Sequence, residues 1–122
     1  MSLQHKELAA GRWQQLPLVE QMANIGGEVE RALIWRAKGN ADYSQRAFER
    51  ALELLDLALT GARGYACLKE LARVREALVD YFYGDNTFGS TQESWRRYFL
   101  AFGYYYSATS QQRKGSLPVT RR

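Results

Sequence analysis

The sequence predicts an all-α fold, an antiparallel four-helix bundle with a loose N-terminal segment and a flexible basic C-terminal tail. Three observations lead there. Apolar residues recur at helical spacing in four separate stretches, the connections between those stretches are short and rich in Gly, Asn and Asp, and no strand-like alternation runs beyond a few residues. A chain of 122 residues with 46% hydrophobic residues has material for one domain with a proper core. The bundle is expected over residues 1–109 and the tail over 110–122.

Residues 1–16 are mixed and polar, with a short helical pattern near Gln4–Ala10; Leu8, Trp13 and Leu16 are their docking candidates. Pro17 suits a helix start, where its missing N–H costs nothing. From Leu18 to Lys38 the residues Leu18, Met22, Ile25, Val29, Ala32 and Leu33 form one stripe. Val19, Ala23, Ile34 and Ala37 widen it to roughly half the circumference, so this helix should meet more than one neighbour. Gly26-Gly27 in mid-helix is costly in propensity and implies either close approach of another helix or a kink. Gly39-Asn40 ends the element.

The second helix is expected from Asp42, capped by Asp42 with Gln45, to Leu59. Its stripe is Phe48, Ala51, Leu52, Leu55, Ala58 and Leu59; charged residues fill the other side, with Leu57 alone among them. Thr60–Gly64 is a glycine-bounded link that makes the next helix, Tyr65–Tyr83, an antiparallel neighbour. Gly84 is expected to close that helix in the left-handed conformation. Ser90 and Glu93 read as an S-x-x-E capping box for a fourth helix, Thr91–Thr109, carrying Trp95, Phe99, Phe102 and Tyr106 on one line.

Composition narrows function. The net charge is +4, yet Arg113, Lys114, Arg121 and Arg122 lie in residues 110–122 with no acid. The remaining residues hold thirteen bases against thirteen acids, so the body is neutral and the basic character belongs to the tail. A tail of that charge gives modest, salt-sensitive attraction to phosphate. No apolar run is long enough for a membrane span, and no export signal is seen at the N-terminus. The single cysteine, Cys67, excludes an internal disulfide and fits a cytoplasmic location.

Little catalytic equipment is visible. The one histidine, His5, sits in the loose N-terminal segment, which argues against a His-containing triad or a Cys/His zinc set. There are no Glu-x-x-His pairs for a di-iron bundle and no glycine-rich phosphate loop. Catalytic residues, cofactor and metal are therefore all expected to be absent.

Arg75 is the most informative anomaly, because the pattern centres it on the stripe of Leu68, Leu71, Ala72, Val79 and Phe82. A buried guanidinium demands a carboxylate. Glu30, which intrudes on the apolar arc of the first helix, is its expected partner, with Glu49, Asp80 or Asp85 as substitutes; Glu30, Arg75, Asp80 and Asp85 thus form a candidate buried polar centre. The plainer reading has Arg75 snorkelling past its stem. The loop Gly84–Ser90 offers oxygens from Asp85, Asn86, Thr87, Ser90 and Thr91 beside Tyr81, Tyr83 and Phe88. It reads either as a small anion pocket or as a turn folded on its own side chains. Trp35, Leu57 and Tyr104 fall off the buried lines and are candidates for an interface.

Two stretches carry a resemblance. Gly27-Glu28-Val29-Glu30-Arg31-Ala32 with Gly39-Asn40 to Leu59, and Tyr81–Asn86 with Gly89-Ser90-Thr91 to Phe99, resemble a small group of uncharacterised prokaryotic all-helical proteins, over most of residues 18–106. The resemblance implies a compact helical fold and names no activity. The function expected is a protein–protein interaction or oligomerisation module, acting on itself as a homodimer or on another chain. The alternative is nucleic-acid association through Arg96, Arg97, Arg113 and Lys114, and the third is a small pocket enzyme or ligand binder around the loop before the last helix.

Overall fold

The structure, a computed structural model, describes residues 11–102. A helical end at 11–13 precedes three complete helices, α1 (Leu18–Ala37), α2 (Ala41–Thr60) and α3 (Tyr65–Tyr83), and a fourth, α4, which begins at 92 and is described through 102. There is no strand among the described residues, and the four main helices pack together as a bundle. No helix among them is long and apolar enough to cross a membrane.

Side-chain contacts show that each helix runs against its neighbour. Glu28 meets Arg50 and Ala32 meets Ser44 between α1 and α2. Asp56 meets Arg75 and Phe48 stacks on Phe82 between α2 and α3. Tyr98 reaches Glu70 on α3, and on α1 Arg96 meets Glu30 while Phe99 lies over Gly26. Numbers rise on one partner as they fall on the other for α1 with α2, α2 with α3 and α1 with α4, which is antiparallel up-and-down connectivity.

The core is built from the stripes of α1 and α2 almost as their spacing dictates. Met22, Ile25, Val29, Ala32 and Leu33 face Ala47, Phe48, Ala51, Leu54, Leu55 and Ala58. Leu71, Val74 and Leu78 come from α3, Trp95 and Phe99 from α4, and Trp13 from the helical end before α1. Among the described residues, the buried polar side chains Gln21 and Ser44 are satisfied: the Gln21 amide donates to the Trp13 carbonyl at 2.7 Å, and the Ser44 hydroxyl donates to the Ala32 carbonyl at 2.8 Å. Both bonds tie an apolar contact to a fixed register, Trp13 onto α1 and α2 onto α1.

Three local expectations shift. Asn40, rather than Asp42, caps α2, its side-chain oxygen accepting from the Tyr43 N–H at 3.0 Å. At α4 the capping box lies one residue later than Ser90–Glu93. Thr91 Oγ1 accepts from the Ser94 N–H and the Thr91 N–H donates to Ser94 Oγ, both at 2.9 Å. A hydroxyl at the third position completes the reciprocal pair as well as a carboxylate would. Gly84 is extended, with φ −105°; the left-handed positions of this loop are Asn86 (φ 56°) and Gly89 (φ 69°).

The larger correction concerns α3. Its buried line is Leu71, Val74 and Leu78, while Leu68 and Ala72 are exposed and Val79 is half-buried. The helix is turned by roughly 60° from the orientation that centres Arg75. Its guanidinium sits at the α2–α3 edge and pairs with Asp56, Nε to Oδ1 at 2.7 Å. The physical reason is the desolvation cost of a buried guanidinium, which rotation at the edge avoids. Tyr104, Arg113, Lys114, Leu8, His5 and the tail lie outside the described residues.

Candidate functional site

The four residues of the expected polar centre are not brought together. Arg75 is held by Asp56, and Glu30 is held by Arg96 of α4, whose Nε lies 2.9 and 3.1 Å from its two oxygens. That bond to Glu30 pushes the Arg96 guanidinium pKa up further. Asp85 is exposed on the loop.

Asp80 has a different task. From the last turn of α3 its carboxylate accepts the Thr87 N–H at 2.9 Å and the Phe88 N–H at 3.0 Å, while its carbonyl accepts from the Asn86 N–H. Those bonds, the one from Phe88 first, hold its pKa below the ordinary aspartate value. Asn86 brackets Ser90 on the other side, its amide donating to the Ser90 carbonyl and accepting from the Ser90 N–H, each at 2.9 Å. The N–H groups that could have cradled an external anion are thus occupied by the chain's own carboxylate. Of the two readings of this loop, the turn folded on its own side chains describes it.

The interface candidates are partly engaged. Trp35 meets Tyr43 edge-on at 4.8 Å and carries Lys38 Nζ 5.2 Å from its ring centre. Leu57 is half-buried against the core, not stranded among charges, and its carbonyl accepts from the Gln14 amide at 2.9 Å. The segment before α1 lies over that end of α2, which the periodicity of α2 alone does not reveal. Of the nucleic-acid candidates within the described residues, Arg97 is exposed and Arg96 is committed to Glu30.

The surface feature that emerges instead lies between α1 and α4. A cavity of about 410 Å³ has a floor of Ala23, Gly26, Gly27, Val29 and Leu33 and a wall of Trp95 and Phe99. Gly26 decides its shape. A Cβ there would sit 2.8 Å from Phe99 Cβ and 2.9 Å from Phe99 Cδ1, so α4 is seated directly on the α1 backbone. At Gly27 a Cβ would meet nothing within 4 Å among the described residues. Leu100 stands on the rim with 70% of its surface exposed, and the Glu30–Arg96 pair closes one side.

A second, smaller cavity of about 250 Å³ lies across α4, between α3 and the loop. Glu70, Arg73 and Tyr98 line it, and the Tyr98 hydroxyl donates to Glu70 Oε2 at 2.7 Å. Burial, then the bond to Glu70, raises the Tyr98 pKa, and the same bond lowers that of Glu70. Both groups therefore keep their ordinary charge states, phenol and carboxylate, across the neutral range. Among the described residues no group of three His, Cys, Asp or Glu side chains is placed to hold a metal ion.

Compared with family models, with curated proteins and with solved structures, the chain has no match.

Proposed function

We propose that this chain works through protein contacts, as a self-associating helical bundle whose α1–α4 groove receives the same face of a second copy. One observation carries the reading: a protruding Leu100 stands beside a groove floored by Ala23, Gly26 and Gly27, so hole and knob share one surface. An isologous contact needs that arrangement, because a two-fold axis places each knob in the other copy's hole. The rim charges fit the same symmetry. Glu30 and Arg96 present one acid and one base, and the two-fold sets Glu30 against the partner's Arg96 without leaving like charges opposed. The groove's lining is mostly apolar, which suits burial against another apolar surface.

The experiment is sedimentation velocity on the full chain at micromolar concentrations and above, beside Gly27→Leu and Leu100→Asp. Gly27→Leu fills the groove at a position with room for a side chain, and it improves helix propensity by roughly 1 kcal/mol. Loss of association cannot then be ascribed to loss of fold. The native chain is expected to sediment as a dimer and both variants as monomers with undiminished helicity. A native chain that stays monomeric into the high micromolar range refutes self-association, and dimerisation untouched by both variants refutes this face.

A further inference from the structure

The smaller cavity between α3, α4 and the loop has an unbalanced set of hydrogen-bonding groups. Its one carboxylate is spoken for, since Glu70 accepts from the Tyr98 hydroxyl at 2.7 Å and from Arg73 at 3.2 Å. Its donors are not. The Arg73 guanidinium makes that one bond and is 70% exposed, leaving most of its N–H groups without a partner among the described residues. Trp95, only 6% exposed, also lines the cavity.

The walls supply the other half of the recognition. Val74 and Ala77 form an aliphatic side, and Tyr98 and Phe88 an aromatic one. Phe88 is held outward, 56% exposed, at the cavity edge. Its position is fixed because the Phe88 N–H donates to Asp80 at 3.0 Å and the adjoining turn is closed by Asn86 on Ser90. A large aromatic on a pinned loop beside a cavity can bind without paying much ordering entropy.

From these observations we infer that the cavity is a binding site for a small carboxylate carried on an apolar, preferably aromatic, body. The carboxylate lies against the Arg73 fork, while the body lies along Phe88 and Val74. A guanidinium meets a carboxylate with two parallel bonds, which fixes orientation as well as charge. Cationic ligands are disfavoured by Arg73, and neutral ones leave its donors unanswered. Such a group could be a free arylalkanoic acid or the C-terminal residue of a peptide; the chemistry is shared.

The test is ¹H–¹⁵N spectroscopy of the full chain, watching its three indole N–H signals, with the Trp95 signal assigned from Trp95→Phe. The probes are 3-phenylpropionate and N-acetylphenylalanine, each set against its primary amide. Saturable displacement of the Trp95 signal by an acid, at least about tenfold weaker with the amide and lost in Arg73→Gln, is the result expected. Tighter binding of N-acetylphenylalanine identifies the peptide terminus as the source, and tighter binding of phenylpropionate the free acid. No saturable displacement, equal displacement by acid and amide, or full binding by Arg73→Gln overturns the inference. Arg73 is largely exposed, so its variant keeps the fold. Trp95 also borders the α1–α4 groove, and the Arg73 arm separates the two cavities, because Arg73 lines only the smaller one.

Discussion

Two adjacent glycines in α1 should respond to the same substitution with opposite signs. In a helix interior, glycine to alanine is worth about 1 kcal/mol of stability from propensity alone. At Gly27 nothing among the described residues opposes that gain, because the added Cβ would have no neighbour there within 4 Å. Gly27→Ala is therefore expected to stabilise by about 1 kcal/mol, raising Tm by about 4 °C in a chain of 122 residues. At Gly26 the added methyl would lie 2.8 Å from Phe99 Cβ, 2.9 Å from Cγ and 2.9 Å from Cδ1. Cβ and Cγ are the near end of that side chain, so rotating the ring gives no relief and α4 itself must move away. Overpacking of this kind costs about 1–3 kcal/mol, against which the same propensity gain of about 1 is set. The net for Gly26→Ala runs from about zero to a loss of about 2 kcal/mol, and the gap between the two variants is about 1–3 kcal/mol.

Urea unfolding followed by far-ultraviolet circular dichroism reads both effects. Midpoints should separate with an unchanged denaturant slope, since neither methyl alters the surface exposed on unfolding. Because Gly27 borders the groove, the comparison belongs at low protein concentration, with midpoints checked for concentration independence. Equal stabilisation by both substitutions would sink the claim that α4 is seated on the α1 backbone at Gly26. Destabilisation by Gly27→Ala would mean that its Cβ position is occupied, and the groove with it.

Two further outcomes follow from the hydrogen bonds and ion pairs. Asp80→Asn should loosen the loop between α3 and α4 and lower Tm. The folded pKa of Asp80 is depressed, so its contribution is complete above the ordinary aspartate value of 3.8 and is lost as pH falls through the lower folded value; the Tm gap between native and variant chains should be flat near neutrality and close on acidification, and a gap that survives strong acid would rule out the carboxylate as the cause. Arg75→Met should change stability by no more than about 1 kcal/mol, as for a solvent-screened surface pair, in thermal or urea unfolding; a loss of about 3–5 kcal/mol would instead indicate a guanidinium paired in the core.

How much of this was legible in the sequence depends on the range of the interaction. Helices α1 and α2 were legible because each has one dominant neighbour, the other, and a single apolar stripe then fixes the buried face. Helix α3 was not, because α2 and α4 divide its apolar arc between them, and the face that packs lies about 60° from the one that periodicity centres on Arg75. Periodicity places Leu68, Leu71, Val74, Leu78 and Val79 on one broad arc; only packing chooses Leu71, Val74 and Leu78 over the rest. The cap of α4 slipped by one residue for a local reason, since Thr91-x-x-Ser94 and Ser90-x-x-Glu93 are both sound boxes and the backbone path out of Gly89 selects between them. The partners of Glu30 and Asp80 lie 66 residues and 7–8 residues away. The nearer bonds follow from turn chemistry that could be read, whereas the distant one requires the bundle to be assembled first.

The groove itself follows from a choice made at one residue. Because Gly26 lacks a side chain, Phe99 can descend onto α1, and Leu100, the next residue along α4, is carried about 100° around the helix and out onto the rim. The same descent aligns Arg96, one turn back, with Glu30, one turn forward, and so sets a charge pair on the groove's flank. Gly27 then keeps the floor open where any larger residue would fill it. The seat of α4, the knob and the hole are one arrangement, so a substitution that lifts Phe99 from Gly26 should weaken self-association by displacing the wall and the knob that α4 carries. Gly26→Ala consequently joins a stability measurement to a functional one. If sedimentation shows it dimerising like the native chain despite a displaced α4, then Leu100 and the groove do not act together, and the two-fold contact has to be abandoned.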